Sequence, residues 1–140
     1  MEFSKDLILI IDDDESNLQF MSTILQHELK TQVECKKNPK EAFEYLKTTK
    51  PTLIILDMQM PVMDGLTALK YLRTFPSTEK IPVIACTALA SKDLILRLVQ
   101  LGIMDYLVKP LEKDAFVEKI GKHLSTIHGD KAPTASMTAT

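Results

Sequence analysis

Short apolar runs alternate along this chain with longer segments of helical period, and four of the runs end in polar side chains suited to phosphate or metal chemistry. Leu7–Ile11 leads into Asp12 and Asp13, and Leu53–Leu56 into Asp57. Val83–Cys86 leads into Thr87, and Tyr106–Val108 into Lys109. The alternation predicts parallel strands joined by helices that cover both faces of one sheet. Parallel strands end on a common edge, and ligands of open α/β sheets bind there, outside the carboxyl ends of the strands. Carboxylates, a hydroxyl and an ammonium far apart in sequence are therefore expected to share one pocket.

The helical segments follow from spacing and punctuation. Leu18, Met21, Leu25 and Leu29 recur at three- and four-residue intervals, with Phe20 and Ile24 widening the stripe, which predicts a helix from about Ser16 to Lys30. Val33–Cys35 reads as a short, more polar strand at a sheet edge. Asn38-Pro39-Lys40-Glu41 joins a cap residue, a proline at the first helical position and an acid three residues after the cap. The helix it opens carries Ala42, Phe43 and Leu46 inward and ends before Pro51. Asp64 is expected to cap a third helix bearing Leu66, Leu69 and Leu72. A fourth runs from about Ser91 to Leu101, with Leu94, Ile95, Leu98, Val99 and Leu101 as its buried stripe, and stops at Gly102. The last uses Phe116, Val117, Ile120, Leu124 and Ile127. From about Gly129 the small-residue, aperiodic composition predicts a disordered tail or linker stub.

With 140 residues, 45% apolar and 26% charged, the chain is expected to form one ordinary globular domain. A net charge of −2 without a basic block argues against direct nucleic-acid binding. The longest apolar runs fall far short of the roughly 20 residues that span a bilayer. Met1–Asp6 lacks a signal-peptide core. Cys35 and Cys86 lie in apolar or strand-like segments without metal-ligand spacing and are expected to be buried, reduced thiols, which suits a cytoplasmic protein.

Asp12-Asp13-Asp14-Glu15 taken alone has two readings, since acids before a helix also oppose its dipole. Asp14 and Glu15 keep that reading as helix-start residues. Asp57 shifts the balance, because an acid ending an apolar strand has no local helix to cap. Carboxylates gathered together repel, and a hard cation such as Mg²⁺ relieves the repulsion. Apolar neighbours and Pro110 pin Lys109 at a strand end, and the Lys109-Pro110 bond is a candidate for the cis form. Thr87 matters through position: a hydroxyl beside a phosphoryl group can donate to it and move when it arrives.

Leu9-Ile10-Ile11-Asp12-Asp13-Asp14, Leu56–Gly65, Thr87-Ala88 and Asp105–Pro110 together resemble the receiver domain of bacterial two-component response regulators, in order and in spacing. The resemblance covers residues 7 to about 125 and implies a flavodoxin-like, doubly wound five-stranded parallel sheet of order 2-1-3-4-5 with five helices. The expected domain is residues 5–127, with 128–140 as the tail. By resemblance, Asp57 accepts a phosphoryl group from a sensor histidine kinase or phosphotransfer protein. Asp13 and Asp57 would hold Mg²⁺ by side chain, Asp12 through water and Gln59 through its backbone carbonyl. Thr87, Ala88 and Lys109 would meet the phosphoryl group, and Tyr106 would be the aromatic switch. The output surface would be the fourth helix, fifth strand and fifth helix, serving a downstream partner, a missing output domain or a homodimer. The chain would catalyse only its own phosphorylation and dephosphorylation and would not be a turnover enzyme.

Glu15 and Thr52 depart from the family's usual Pro and Asp, and Ile103-Met104 from its small or polar residues. Leu96 falls on the polar side of the fourth helix, where an isolated exposed Leu is ordinary but a partner surface is the alternative. A rival reading is a Mg²⁺-dependent phosphatase with Asp57 as nucleophile. Such enzymes carry an acid two residues later, where this chain has Gln59. A pseudo-receiver binding partners without phosphorylation, and a fragment of a longer regulator or hybrid kinase, are the other readings. Gln59 and Leu89 are expected to tune the phosphoryl lifetime.

Overall fold

In the computed structural model, which describes residues 3–129, five strands pair in parallel in the order β2-β1-β3-β4-β5. They are β1 (Leu7–Ile11), β2 (Gln32–Lys36), β3 (Leu53–Asp57), β4 (Val83–Thr87) and β5 (Asp105–Val108). The intervening helices are α1 (Glu15–Ile24), α2 (Pro39–Leu46), α3 (Gly65–Thr74), α4 (Lys92–Gln100) and α5 (Lys113–Ile127).

Side chains alternate along each strand, so one apolar run supplies two cores. Ile8, Ile10, Leu53, Ile55, Ile84 and Cys86 face Leu18, Met21 and Ile24 of α1 and Phe116, Ile120 and Leu124 of α5. Leu9, Ile11, Ile54, Leu56, Val83 and Ala85 face the other way, onto α2, α3 and Leu98 of α4. Burial of each such aliphatic chain contributes roughly 1.5–3 kcal/mol. The register matters more for function. Ile11 pairs with Leu56, Asp57 with Cys86, and Thr87 with Val108, which brings Asp12, Asp57, Thr87 and Lys109 to the carboxyl edge on neighbouring strands. After β1 the chain moves outward to β2, then crosses back to β3. Asp12 and Asp57 flank this reversal, the crevice where ligands of such sheets bind.

Helix starts obey their local chemistry. Asp14 accepts from the Ser16 and Asn17 amides, Asn38 from the Glu41 amide and Asp64 from the Thr67 amide. Caps of this kind are worth about 1 kcal/mol each. Glu15 and Thr52 take local partners. Glu15 pairs with Lys37, and Thr52 accepts from the Leu7 amide and donates to the buried Asp6.

Several expectations need correction. The first helix is not uniform to Lys30: Leu25–Leu29 widens into a π-helical turn, closed by Lys30 at a left-handed φ of 60°. Phe20 is 36% exposed and stands outside the buried stripe. In α4 only Leu98 is fully buried; Val99 is 61% exposed, and Leu94, Ile95 and Leu101 are half-buried. Helical period identifies an apolar side but not how much of it the sheet covers. β2 extends one residue beyond Val33–Cys35 at each end and, as expected, lies at the sheet edge. Ile103 and Met104 pack against opposite cores. The expected tail, apart from His128 and Gly129, lies outside the described residues. Among those described, no helix is long and apolar enough to cross a membrane. Cys35 and Cys86 are free thiols, half-buried and buried respectively.

Candidate functional site

The strand-end residues form one connected cluster. Asp12 and Asp57 are buried, at 1% and 2% exposure, while Asp13 is exposed beside them. One carboxylate oxygen from each of the three lies within 4.8 Å of the others. Lys109 lies between two of them, its Nζ donating to Asp12 Oδ2 at 3.1 Å and to Asp57 Oδ1 at 3.0 Å. The Lys109 amide donates to the Thr87 carbonyl, and Lys109-Pro110 is cis.

Each oxygen is oriented by the backbone around it. Asp12 Oδ1 accepts from the Asp14 amide at 2.9 Å, so the turn into α1 fixes that carboxylate. Asp57 Oδ1 also accepts from the Gln59 amide at 3.3 Å, leaving Oδ2 as the oxygen that no described residue engages. Gly65 lets α3 begin directly against this strand end. A Cβ there would overlap the Asp57 carbonyl oxygen and Met58, and the Gly65 amide donates to Met58 O at 3.1 Å.

The electrostatics follow from burial. Loss of hydration pushes the Asp57 carboxyl up to about 6; the hydrogen bond from Lys109 opposes the rise and the Asp12 charge adds to it. Burial disfavours the Lys109 ammonium, but its hydrogen bonds and attraction to Asp57 and Asp12 outweigh this and raise its pKa. Burial pushes the neighbouring Cys86 thiol up to about 12, so it stays protonated and unreactive.

Thr87 is fully buried and joins the cluster through Gln59, whose Nε2 donates to its hydroxyl at 2.9 Å. The Gln59 Oε1 accepts from the Ala88 amide at 3.0 Å. Tyr106 sits opposite Ala85, half-buried against the α2–α4 core; the hydroxyl of Thr87 bonds to Gln59 and Leu89 rather than to it. The strand-end pattern thus located the cluster. It missed the role of Asp12 as a direct partner of Lys109, the close approach at Gly65, and the bridge made by the Gln59 carboxamide. An Asp-Gly pair in a turn was the only signal for Gly65, and nothing local signals the bridge.

A buried acid flanked by two further acids and a lysine at the carboxyl edge of a 2-1-3-4-5 sheet defines a class that comparison with known proteins identifies. Residues 8–121 match the response regulator receiver domain, and the chain belongs to that family of two-component signalling proteins. It is 33% identical over 118 residues to the chemotaxis protein CheY of Bacillus subtilis, covering 84% of this chain and 97% of that one. It is 34% identical over 107 residues to the signal transduction histidine-protein kinase BarA of Escherichia coli, covering 76% of this chain but 12% of the kinase. Among solved structures, a CheY-like receiver domain protein of Methanospirillum hungatei superposes with a TM-score of 0.81 at 25% identity, covering 89% of this chain and 98% of that one.

Proposed function

We propose that Asp57 is the phosphoacceptor of a two-component phosphorelay, taking its phosphoryl group from a phosphohistidine on a sensor histidine kinase or phosphotransfer protein. The observation that carries this reading is the asymmetric carboxylate: Oδ1 held by Lys109 and the Gln59 amide, Oδ2 engaged by none of the described residues. In the transfer, Oδ2 forms a bond to phosphorus as the phosphorus–nitrogen bond breaks. The imidazole leaves with the bonding pair and keeps or gains a proton. Lys109 neutralises charge on the transferred oxygens from the position it already holds. Transfer requires an ionised acceptor, and a carboxyl near 6 is mostly ionised at neutral pH.

The donor set fits a hard cation, since three carboxylate oxygens converge within 4.8 Å and Asp13 is exposed to admit one. The residues that would hold Mg²⁺ are Asp13 and Asp57, with Asp12 through water and the Gln59 carbonyl. Bound there, Mg²⁺ would supply charge neutralisation for the acids and the incoming phosphoryl group. The phosphatase alternative is disfavoured because Gln59 has no acidic proton for a leaving group. On this reading the chain acts stoichiometrically, in the cytoplasm, as a switch rather than a turnover enzyme.

The output would be a changed α4–β5–α5 surface, displayed to a downstream partner, an output domain or a second copy. Leu96, Val99 and Val108 are exposed apolar residues on these elements, at 57%, 61% and 49%. Beryllofluoride, an analogue of the phosphoryl group, tests the acceptor assignment through fluorine NMR. Wild type should bind it only when Mg²⁺ is present, and Asp57→Asn should not bind it. Failure of wild type to bind would overturn the proposal.

A further inference from the structure

Gln59 reaches with its side chain to the end of β4 and the loop after it. One carboxamide there takes two groups at once: the Thr87 hydroxyl at 2.9 Å and the Ala88 amide at 3.0 Å. The network fixes which end faces which. A backbone N–H can only donate, so Oε1 must face Ala88, and the amide nitrogen must face Thr87. The Thr87 hydroxyl in turn donates to the Leu89 carbonyl at 2.9 Å and accepts from the Leu89 amide at 3.0 Å. Its proton and both acceptor positions are therefore committed.

A phosphoryl group on Asp57 is acceptor-only and needs donors at this place. The Asp57–Cys86 register sets the loop after β4 beside this strand end, and its candidate donors, the Thr87 O–H and the Ala88 N–H, are already used. We infer that the Gln59 carboxamide is a latch: its Oε1 occupies the Ala88 amide that a phosphoryl oxygen would take, and its amide group holds Thr87 turned toward Leu89. This inference rests on the reading of Asp57 as phosphoacceptor. Gln59 is a positioning residue here, acting through Thr87 and Ala88. Phosphorylation must release it, so the latch opposes activation and restores the resting loop when the phosphoryl group is lost. Gln59 is exposed, so water solvates the released carboxamide and only the net worth of two hydrogen bonds is lost.

Two variants separate hydrogen bonding from bulk: Gln59→Leu keeps the volume without the carboxamide, and Gln59→Ala removes both. The first readout needs no phosphoryl chemistry. In the resting protein, hydrogen exchange at the Ala88 amide should accelerate in both variants relative to wild type, with the pattern elsewhere unchanged. The second is beryllofluoride affinity at saturating Mg²⁺, which should tighten about tenfold in both, equivalent to about 1.4 kcal/mol. Unchanged exchange at Ala88 refutes the latch whatever the chain's phosphorylation chemistry. Affinity that is unchanged or weaker in the variants refutes the competition, as does tightening in the Ala variant alone, which would mark Gln59 as a steric cover. Accelerated exchange with no binding to wild type refutes the phosphoacceptor reading, and the competition falls with it.

Discussion

Replacing Asp57 by Asn should stabilise the resting protein at neutral pH while destroying its proposed activity. The carboxyl titrates at about 6 in the folded protein because burial outweighs its hydrogen bond to Lys109. In the unfolded chain it returns to about 4. A folded value above the unfolded one means that the folded state binds the proton more tightly. The associated stability is complete below about pH 4 and is lost as pH rises through about 6. Two pKa units correspond to roughly 3 kcal/mol. The carboxyl lies at the edge of the sheet beside the exposed Asp13, where screening removes part of this, so about 1–2 kcal/mol is expected. Asn resembles the protonated acid and does not titrate, so the gain should be small near pH 4 and complete above about pH 7. Urea denaturation in EDTA, followed by circular dichroism across this range, measures it through paired wild-type and variant curves. An Asn variant no more stable than wild type at neutral pH, or a gain independent of pH, would refute the reasoning.

Gly65→Ala puts a methyl group against the Asp57 carbonyl and Met58. A loss of about 1–3 kcal/mol in urea denaturation is expected, with slower phosphorylation by small donors. Asp105 is held below the usual carboxylate range: burial alone would raise it, but hydrogen bonds from His123 and the Tyr106 amide and the Lys119 charge prevail. Its contribution to stability is therefore present at neutral pH and lost as pH falls through that lowered value. Asp105→Asn should be less stable than wild type at neutral pH, with the gap closing in acid, and parallel denaturation curves would contradict this. Leu96→Lys should leave phosphorylation of Asp57 intact while weakening partner binding or dimerisation of the beryllofluoride-activated protein. Sedimentation velocity checks this, and unchanged association would remove the surface from the account.

What was legible in the sequence is what local chemistry encodes. Strand ends show as Asp12, Asp57, Thr87 and Lys109 because a polar residue interrupts each apolar run. Asn38 and Asp64 announce their helices because caps act within three residues. Side chains meeting across the sheet were less accessible. Lys109 shows as a strand-end residue, but its bond to Asp12 depends on β1 and β3 lying side by side. The Gln59 bridge spans residues 28 and 29 positions away and depends on rotamer and loop shape together. Val99 lies on the apolar side of its helix by period yet is 61% exposed, while Leu98 beside it is fully buried. The π-helical turn at Leu25–Leu29 carries no proline or glycine to betray it.

Phosphoramidate carries the phosphorus–nitrogen bond of a phosphohistidine without requiring a cognate kinase. Intact-mass measurement after incubation with it and Mg²⁺ therefore addresses the central claim directly. Wild type should gain the mass of one phosphoryl group, located by fragmentation to Asp57, and Asp57→Asn should gain none. A wild type that stays unmodified, or an Asn variant modified to the same extent, would contradict the account.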